Sequence, residues 1–238
     1  MASAVASSFV RLQSRPDEIH RLLTDVDRYN TQNAVLLEDY LARQCANPDP
    51  SNNHDLMANL ALLKMYQFNP EMVDFDVIRR ILAKALISPI SSDFNLCLYL
   101  LSDEVCRDQS ISKLLVLREY LERAQFGDFW KEMYGNIEED EEEASVVDGI
   151  AGFDNGLRRL IVGEITGTYQ TISATHVQDM VNLDEEAVLR LAKENGWTVN
   201  GNVISLPVKS DNEVKGSVIS ESIAFEQLTK ILSAANDM

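Results

Sequence analysis

Seven helix starts spaced by about 14 to 24 residues, a further pair of short helices, and an Asn-Gly turn between two β-rich runs predict a mainly α chain. The expected architecture is a stack of helical hairpins followed by a winged helix with a small β-hairpin. The starts fall near residues 17, 31, 55, 73, 92, 110 and 126, so a helix pair repeats about every 35 to 40 residues, the period of stacked hairpins. The Trp-x-x-Leu-Gly signature of tetratricopeptides is absent, so the array is degenerate; an irregular helical bundle is the alternative.

Ser14-Arg15-Pro16-Asp17 reads as a capping-box-like start, followed by Ile19, Leu22, Leu23 and Val26 at one-face spacing. A second helix after Asn30-Thr31 takes Val35, Leu36, Tyr40 and Leu41 as its apolar set, and the Pro- and Asn-rich stretch 47–53 is a surface loop. The run from Asp55 to Pro70 is apolar on nearly every side, which predicts a central helix. Then come helices carrying Val77, Ile78, Ile81, Leu82, Ala85 and Leu86; Phe94, Cys97, Leu98, Leu101 and Val105; Ile111, Leu114, Leu115, Leu117 and Leu121; and Phe126, Phe129, Trp130 and Met133. Six consecutive carboxylates at 138–143 repel one another, so residues 135–149 are expected to be a solvated acidic linker, one that a basic partner surface can grip.

Gly152 opens a helix with Leu157, Leu160, Ile161 and Ile165 on one face, and a short strand follows near Tyr169. Ser173 or Thr175 caps a helix with Val177, Met180 and Val181 inside. Asp184 caps a second, bearing Glu185 and Glu186 in its first turn and Val188, Leu191 and Ala192 within, and Asn195-Gly196 ends it. Trp197–Val199 and Val203–Leu206 flank Asn200-Gly201-Asn202, a turn suited to positive φ. Two helices at a tight turn followed by a ribbon is the winged-helix plan. Past it, Phe225, Leu228, Ile231 and Leu232 form a last amphipathic helix that either folds back or enters a partner's bundle. The expected divisions are a flexible extension at 1–16, the helical domain at 17–134, the linker at 135–149, the winged helix at 150–208 and a mobile segment with terminal helix at 209–238.

A groove-reading helix meets DNA with its N-terminal end, and here that end carries Asp184, Glu185 and Glu186. Residues 151–238 hold seven Lys and Arg against twelve Asp and Glu, and the whole chain is at −17, the wrong sign for nucleic-acid or anionic-membrane binding. The three cysteines have no C-x-x-C spacing and no apolar run reaches the ~20 residues of a membrane helix, so a reduced, cytoplasmic location is expected. The Ser- and Ala-rich start with Arg11 and Arg15 reads either as a frayed terminus or as a transit-like segment.

His20, His54 and His176 lie in no metal-binding spacing; no phosphate loop or nucleophile elbow occurs, and no histidine stands near a cysteine. No catalytic, cofactor or metal residues are assigned. The candidate partner-binding residues are Glu185 and Glu186 on the acidic helix and Phe225, Leu228, Ile231 and Leu232 on the terminal one.

Several stretches together resemble one family. They are Asp27-Arg28-Tyr29-Asn30, ANLALLKMYQFNP at 58–70, Asp93-Phe94-Asn95-Leu96-Cys97, Phe126-Gly127-Asp128-Phe129-Trp130, GFDNGLRRLIVGEITGTYQTIS at 152–173 and Asn195-Gly196-Trp197. Spread in order from about residue 20 onward, they are similar to the PCI modules of the proteasome lid, the COP9 signalosome and eukaryotic translation initiation factor three, and within these to the subunit-K branch. The resemblance implies a HEAT-like helical domain with a winged helix, no catalytic residues and no cofactor. It also implies a structural place in the initiation factor beside its L subunit, with the small ribosomal subunit met through the assembled complex. The extension before Asp17 and the acidic run at 138–143 depart from the pattern and inherit nothing from it.

Overall fold

The computed structural model describes residues 12, 14–48, 54–88, 92–135 and 145–209, and these are mainly helical. Helix α1 (Asp17–Thr24) follows Pro16 and buries Ile19, Leu22 and Leu23. Two short 3-10 turns, Val26–Tyr29 and Thr31–Asn33, are capped by the side chains of Asp25 and Asn30 and lead into α2 (Ala34–Ala46). The helix places Tyr40 and Leu41 of the expected apolar set in the core and packs Leu36 against it, and Val35 is the member of that set that turns outward. The inner face of α2 is Ala34, Leu37, Tyr40, Leu41, Gln44 and Cys45, and Val35 is 63% exposed.

Helix α3 (Leu56–Phe68) is capped by Asp55, which accepts from the Ala58 amide. It packs against α1, α2, α4 (Phe75–Leu86) and α5 (Asp93–Leu98), the central place expected of so apolar a helix. Asp74 caps α4 through the Asp76 and Val77 amides. The single helix expected from Ser92 through Val105 is broken in two. Amides of Leu100 and Leu101 bond carbonyls three residues back, and Ser102 then caps the separate α6 (Asp103–Cys106), leaving Tyr99 exposed. Asp108 caps α7 (Gln109–Glu122), and α8 (Phe126–Tyr134) buries Phe126, Phe129, Trp130 and Met133.

The six carboxylates of 138–143 and the stretch 210–238 lie outside the described residues. Beyond the acidic run, the chain at 145–151 packs back on the arm. Val146 and Ile150 are buried, Arg79 of α4 donates to the Val146 and Asp148 carbonyls at 2.7 and 3.1 Å, and the Ala151 amide donates to Cys45 at 2.8 Å. Gly152 enters α9 (Phe153–Thr168) at φ +71, where a side chain would also collide with the Pro48 carbonyl.

The chain ends in a small sheet unit: β1 (Thr171–Ser173), α10 (Ala174–Val181), α11 (Glu185–Glu194), β2 (Thr198–Asn200) and β3 (Val203–Ser205). The antiparallel order is β1-β3-β2, with Ile204 of β3 opposite both Ile172 and Val199. Of the two caps the sequence allows for α10, Ser173 is the one used, accepting from the His176 amide; Asp184 caps α11 through Ala187. Gly201 sits in the hairpin turn at φ +62. Ile204 is fully enclosed and Trp197 nearly so, which anchors the ribbon to the helices beneath.

Candidate protein-docking site

Glu185 and Glu186 occupy the first turn of α11 and are exposed. Carboxylates there complement the positive end of the helix dipole, so they help to stabilise the helix they decorate. Leu189 stands four and three residues beyond them, on the same helix surface, and is 43% exposed. An apolar side chain flanked by two carboxylates favours a partner surface with an apolar centre and a basic rim. Phe225, Leu228, Ile231 and Leu232 lie outside the described residues, so Glu185 and Glu186 are the predicted site residues that the structure positions.

This acidic surface is held to the helical arm through Trp130, a connection that the sequence did not disclose. The Trp130 indole donates to the Met180 carbonyl at 3.0 Å, and Arg158 donates to the next carbonyl, Val181, at 3.1 Å. The Arg158 guanidinium lies 5.2 Å from the centre of the Trp130 ring. Tyr134 stacks with the Trp130 ring at 6.1 Å between centroids and donates to Asp154 at 2.6 Å. Burial, with help from that bond, raises the Tyr134 pKa, so the phenol stays protonated and donating. The sequence offers only a weak signal of this junction, an aromatic pair ending one helix and an Arg pair on another.

A cleft of about 1430 Å³ opens beside the junction, between Leu121 and Phe126 on the arm and Leu160 and Tyr169 on the other side. No group of His, Cys, Asp or Glu suited to a metal occurs among the described residues. Burial raises the thiol pKa at Cys45 and, up to about 12, at Cys97, which disfavours the thiolate at both.

A buried polar network runs through the arm. Arg15 grips Asp55 with two bonds of 2.5 and 2.6 Å, and Tyr40 adds a third at 3.3 Å. Gln44 accepts from the Asp55 amide, and Lys84 donates to the Gln44 carbonyl. His54 lies 3.4 Å from the Asn59 amide nitrogen through Nδ1 and 3.5 Å from Asp93 through Nε2. Burial, and then the Lys84 charge, lower the His54 pKa to about 4; Asp55 opposes this without prevailing.

That depression makes stability depend on pH. Unfolded chains bind the imidazole proton near pH 6.5 and folded ones only near 4, so the contribution is complete above 6.5 and is lost as pH falls toward 4, by about 3 kcal/mol. Asp93, whose pKa is raised by burial against the effect of its bond from Ser88, acts in the opposite sense, and its contribution is lost as pH rises. The difference between wild type and His54→Gln isolates the imidazole. Urea denaturation at pH 7 and pH 4.5 is expected to show a smaller acid loss in the variant, and equal losses would contradict the assignment.

The family model described as CSN8/PSMD8/EIF3K matches residues 72–218. Eukaryotic translation initiation factor 3 subunit K of Mycosarcoma maydis is 31% identical, over 98% of this chain and 96% of its own length. The proteins of the same name from Nematostella vectensis and Cryptococcus neoformans var. neoformans serotype D are each 34% identical. The first match covers 91% of this chain and 96% of the relative, the second 93% and 92%.

Proposed function

Since the chain belongs to the CSN8/PSMD8/EIF3K family, we propose that it is a non-catalytic scaffold subunit of eukaryotic translation initiation factor 3. The observation that carries this is the run of relatives named subunit K, matched along nearly the whole of both chains. The same family description also covers proteasome-lid and signalosome subunits, and the relatives' names favour the initiation factor over them.

In this reading the helices from α1 to α8 form a HEAT-like arm of right-handed stacked hairpins, and residues 150–208 form a winged helix. The two capped helices between β1 and the β2–β3 ribbon support the second assignment. Residues 135–149 tether the two parts, and 209–238 supply a terminal helix. The winged helix docks onto other subunits of the factor, with Glu185 and Glu186 meeting a basic rim and Leu189 its apolar centre. Phe225, Leu228, Ile231 and Leu232 add an apolar stripe to a helical bundle shared with the L subunit. The small ribosomal subunit is reached through the assembled factor. Among the described residues no helix is long and apolar enough to cross a membrane. The work is done in the cytoplasm, during translation initiation.

A tagged chain captured from cytosol should bring down initiation-factor subunits and the small ribosomal subunit. Recovery of proteasome-lid or signalosome subunits instead would overturn the reading. Leu228→Asp combined with Ile231→Asp is expected to reduce recovery at least about tenfold while leaving the monomer's melt cooperative, because charges are expelled from an apolar bundle. Loss of the monomer's own melt would make these side chains internal core instead.

A further inference from the structure

A second surface, of opposite sign, adjoins the acidic one along α11, where Arg190 stands one turn beyond Glu186. Helix α9 contributes Arg158, Arg159 and Val162, and α11 contributes Ala187, Arg190 and Leu191, to a cleft of about 450 Å³. On each helix these positions repeat at three- and four-residue steps, so the cleft runs along both. Leu183 completes an apolar floor with Val162, Ala187 and Leu191, all buried or half-buried. Glu194 is the one carboxylate among the described lining residues, against three guanidinium groups, in a chain whose net charge is −17.

Arg158 is held in place by the Val181 carbonyl and the Trp130 ring, and its Nη2 lies 3.8 Å from Asp154. Arg190 is exposed at the rim. Guanidinium forks match carboxylates in geometry as well as charge. Nucleic acid suits the site poorly. Single strands bind by stacking bases on aromatic rings along a continuing cationic track, whereas no aromatic side chain lines this cleft among the described residues, and Asp154 and Glu194 interrupt the positive charge.

We infer that this cleft receives a short acidic segment of a partner polypeptide, in which carboxylates flank one or two apolar side chains. The carboxylates meet Arg190 and the α9 arginines, and the apolar side chains enter between Val162 and Leu191. This goes beyond the scaffold role proposed above. A purified chain and a synthetic probe test it independently of any pull-down.

The test is fluorescence anisotropy of the full chain with a labelled twelve-residue peptide alternating Glu with Leu, beside its Gln-for-Glu counterpart and a twelve-nucleotide oligouridine. The acidic probe should bind in a salt-dependent manner, at least about tenfold more tightly than the Gln counterpart. Arg190→Glu should weaken it about tenfold and Arg190→Lys by less, with the thermal melt unchanged. Absence of binding, binding that Arg190→Glu leaves intact, or oligouridine binding of equal strength through Arg190 would overturn the inference. Neutralising residues 138–143 separates one further outcome: a probe that binds only then would mean that the chain's own acidic run fills the cleft, which overturns the partner reading.

Discussion

Trp130→Ala is expected to destabilise the chain by about 3–5 kcal/mol and to let the sheet unit melt separately from the arm. The indole is 4% exposed, lies edge-on to Phe129, stacks with Tyr134 and carries the guanidinium of Arg158 over its face. Its N–H also satisfies the Met180 carbonyl, so truncation opens a cavity and removes a buried hydrogen bond together. The chain has two tryptophans, so in this variant Trp197 alone reports on the sheet unit while far-ultraviolet dichroism reports on the helices. Urea curves from the two signals should coincide in wild type and separate in Trp130→Ala. Trp130→Phe keeps most of the ring and loses the donor, so a smaller loss, about 1–2 kcal/mol, is expected. Coincident curves within about 1 kcal/mol of wild type would show that the junction does not couple the parts.

Asp55→Ala should cost a similar amount, about 3–5 kcal/mol, by a different route. Asp55 is 1% exposed and binds Arg15 with two bonds, accepts from Tyr40 and caps α3 through the Ala58 amide. Removing it takes the carboxylate from a buried guanidinium, which is costlier than removing the whole pair, and loss of the cap adds about 1 kcal/mol. The double variant Arg15→Met with Asp55→Ala should therefore be more stable than Asp55→Ala alone. Urea denaturation of the single and double variants measures the coupling, and a double variant no better than the single would reject the ion pair as the cause.

The parts of this fold legible in the sequence are those set by short-range chemistry. The Asp184 cap, the Ser173 cap, the Asn-Gly hairpin turn and the apolar α3 each depend on residues a few positions apart. The misreadings also have local causes that a hydrophobic period does not encode. Val35, apolar in the first turn of α2, falls outside the buried face that Tyr40 and Leu41 share, and the Ser102 cap divides the helix expected across 92–105. At the candidate site, the exposed acids of α11 were legible because a charged first turn of a capped helix is read directly. The arginine-lined cleft was not, since neither α9 nor α11 forms it alone.

By itself the sequence determined the helical class, the ends of most helices, the hairpin and the sign of the surface charge, because composition, caps and turn residues act over one or two turns of chain. Only the tertiary structure decided that β3 pairs with β1 as well as β2, that Arg79 holds the chain at Val146, and that Trp130 meets the carbonyl of Met180 fifty residues away. Contacts of that separation leave no periodic trace in either segment. They are selected by the shape and hydrogen-bonding needs of surfaces that exist only once both segments have folded.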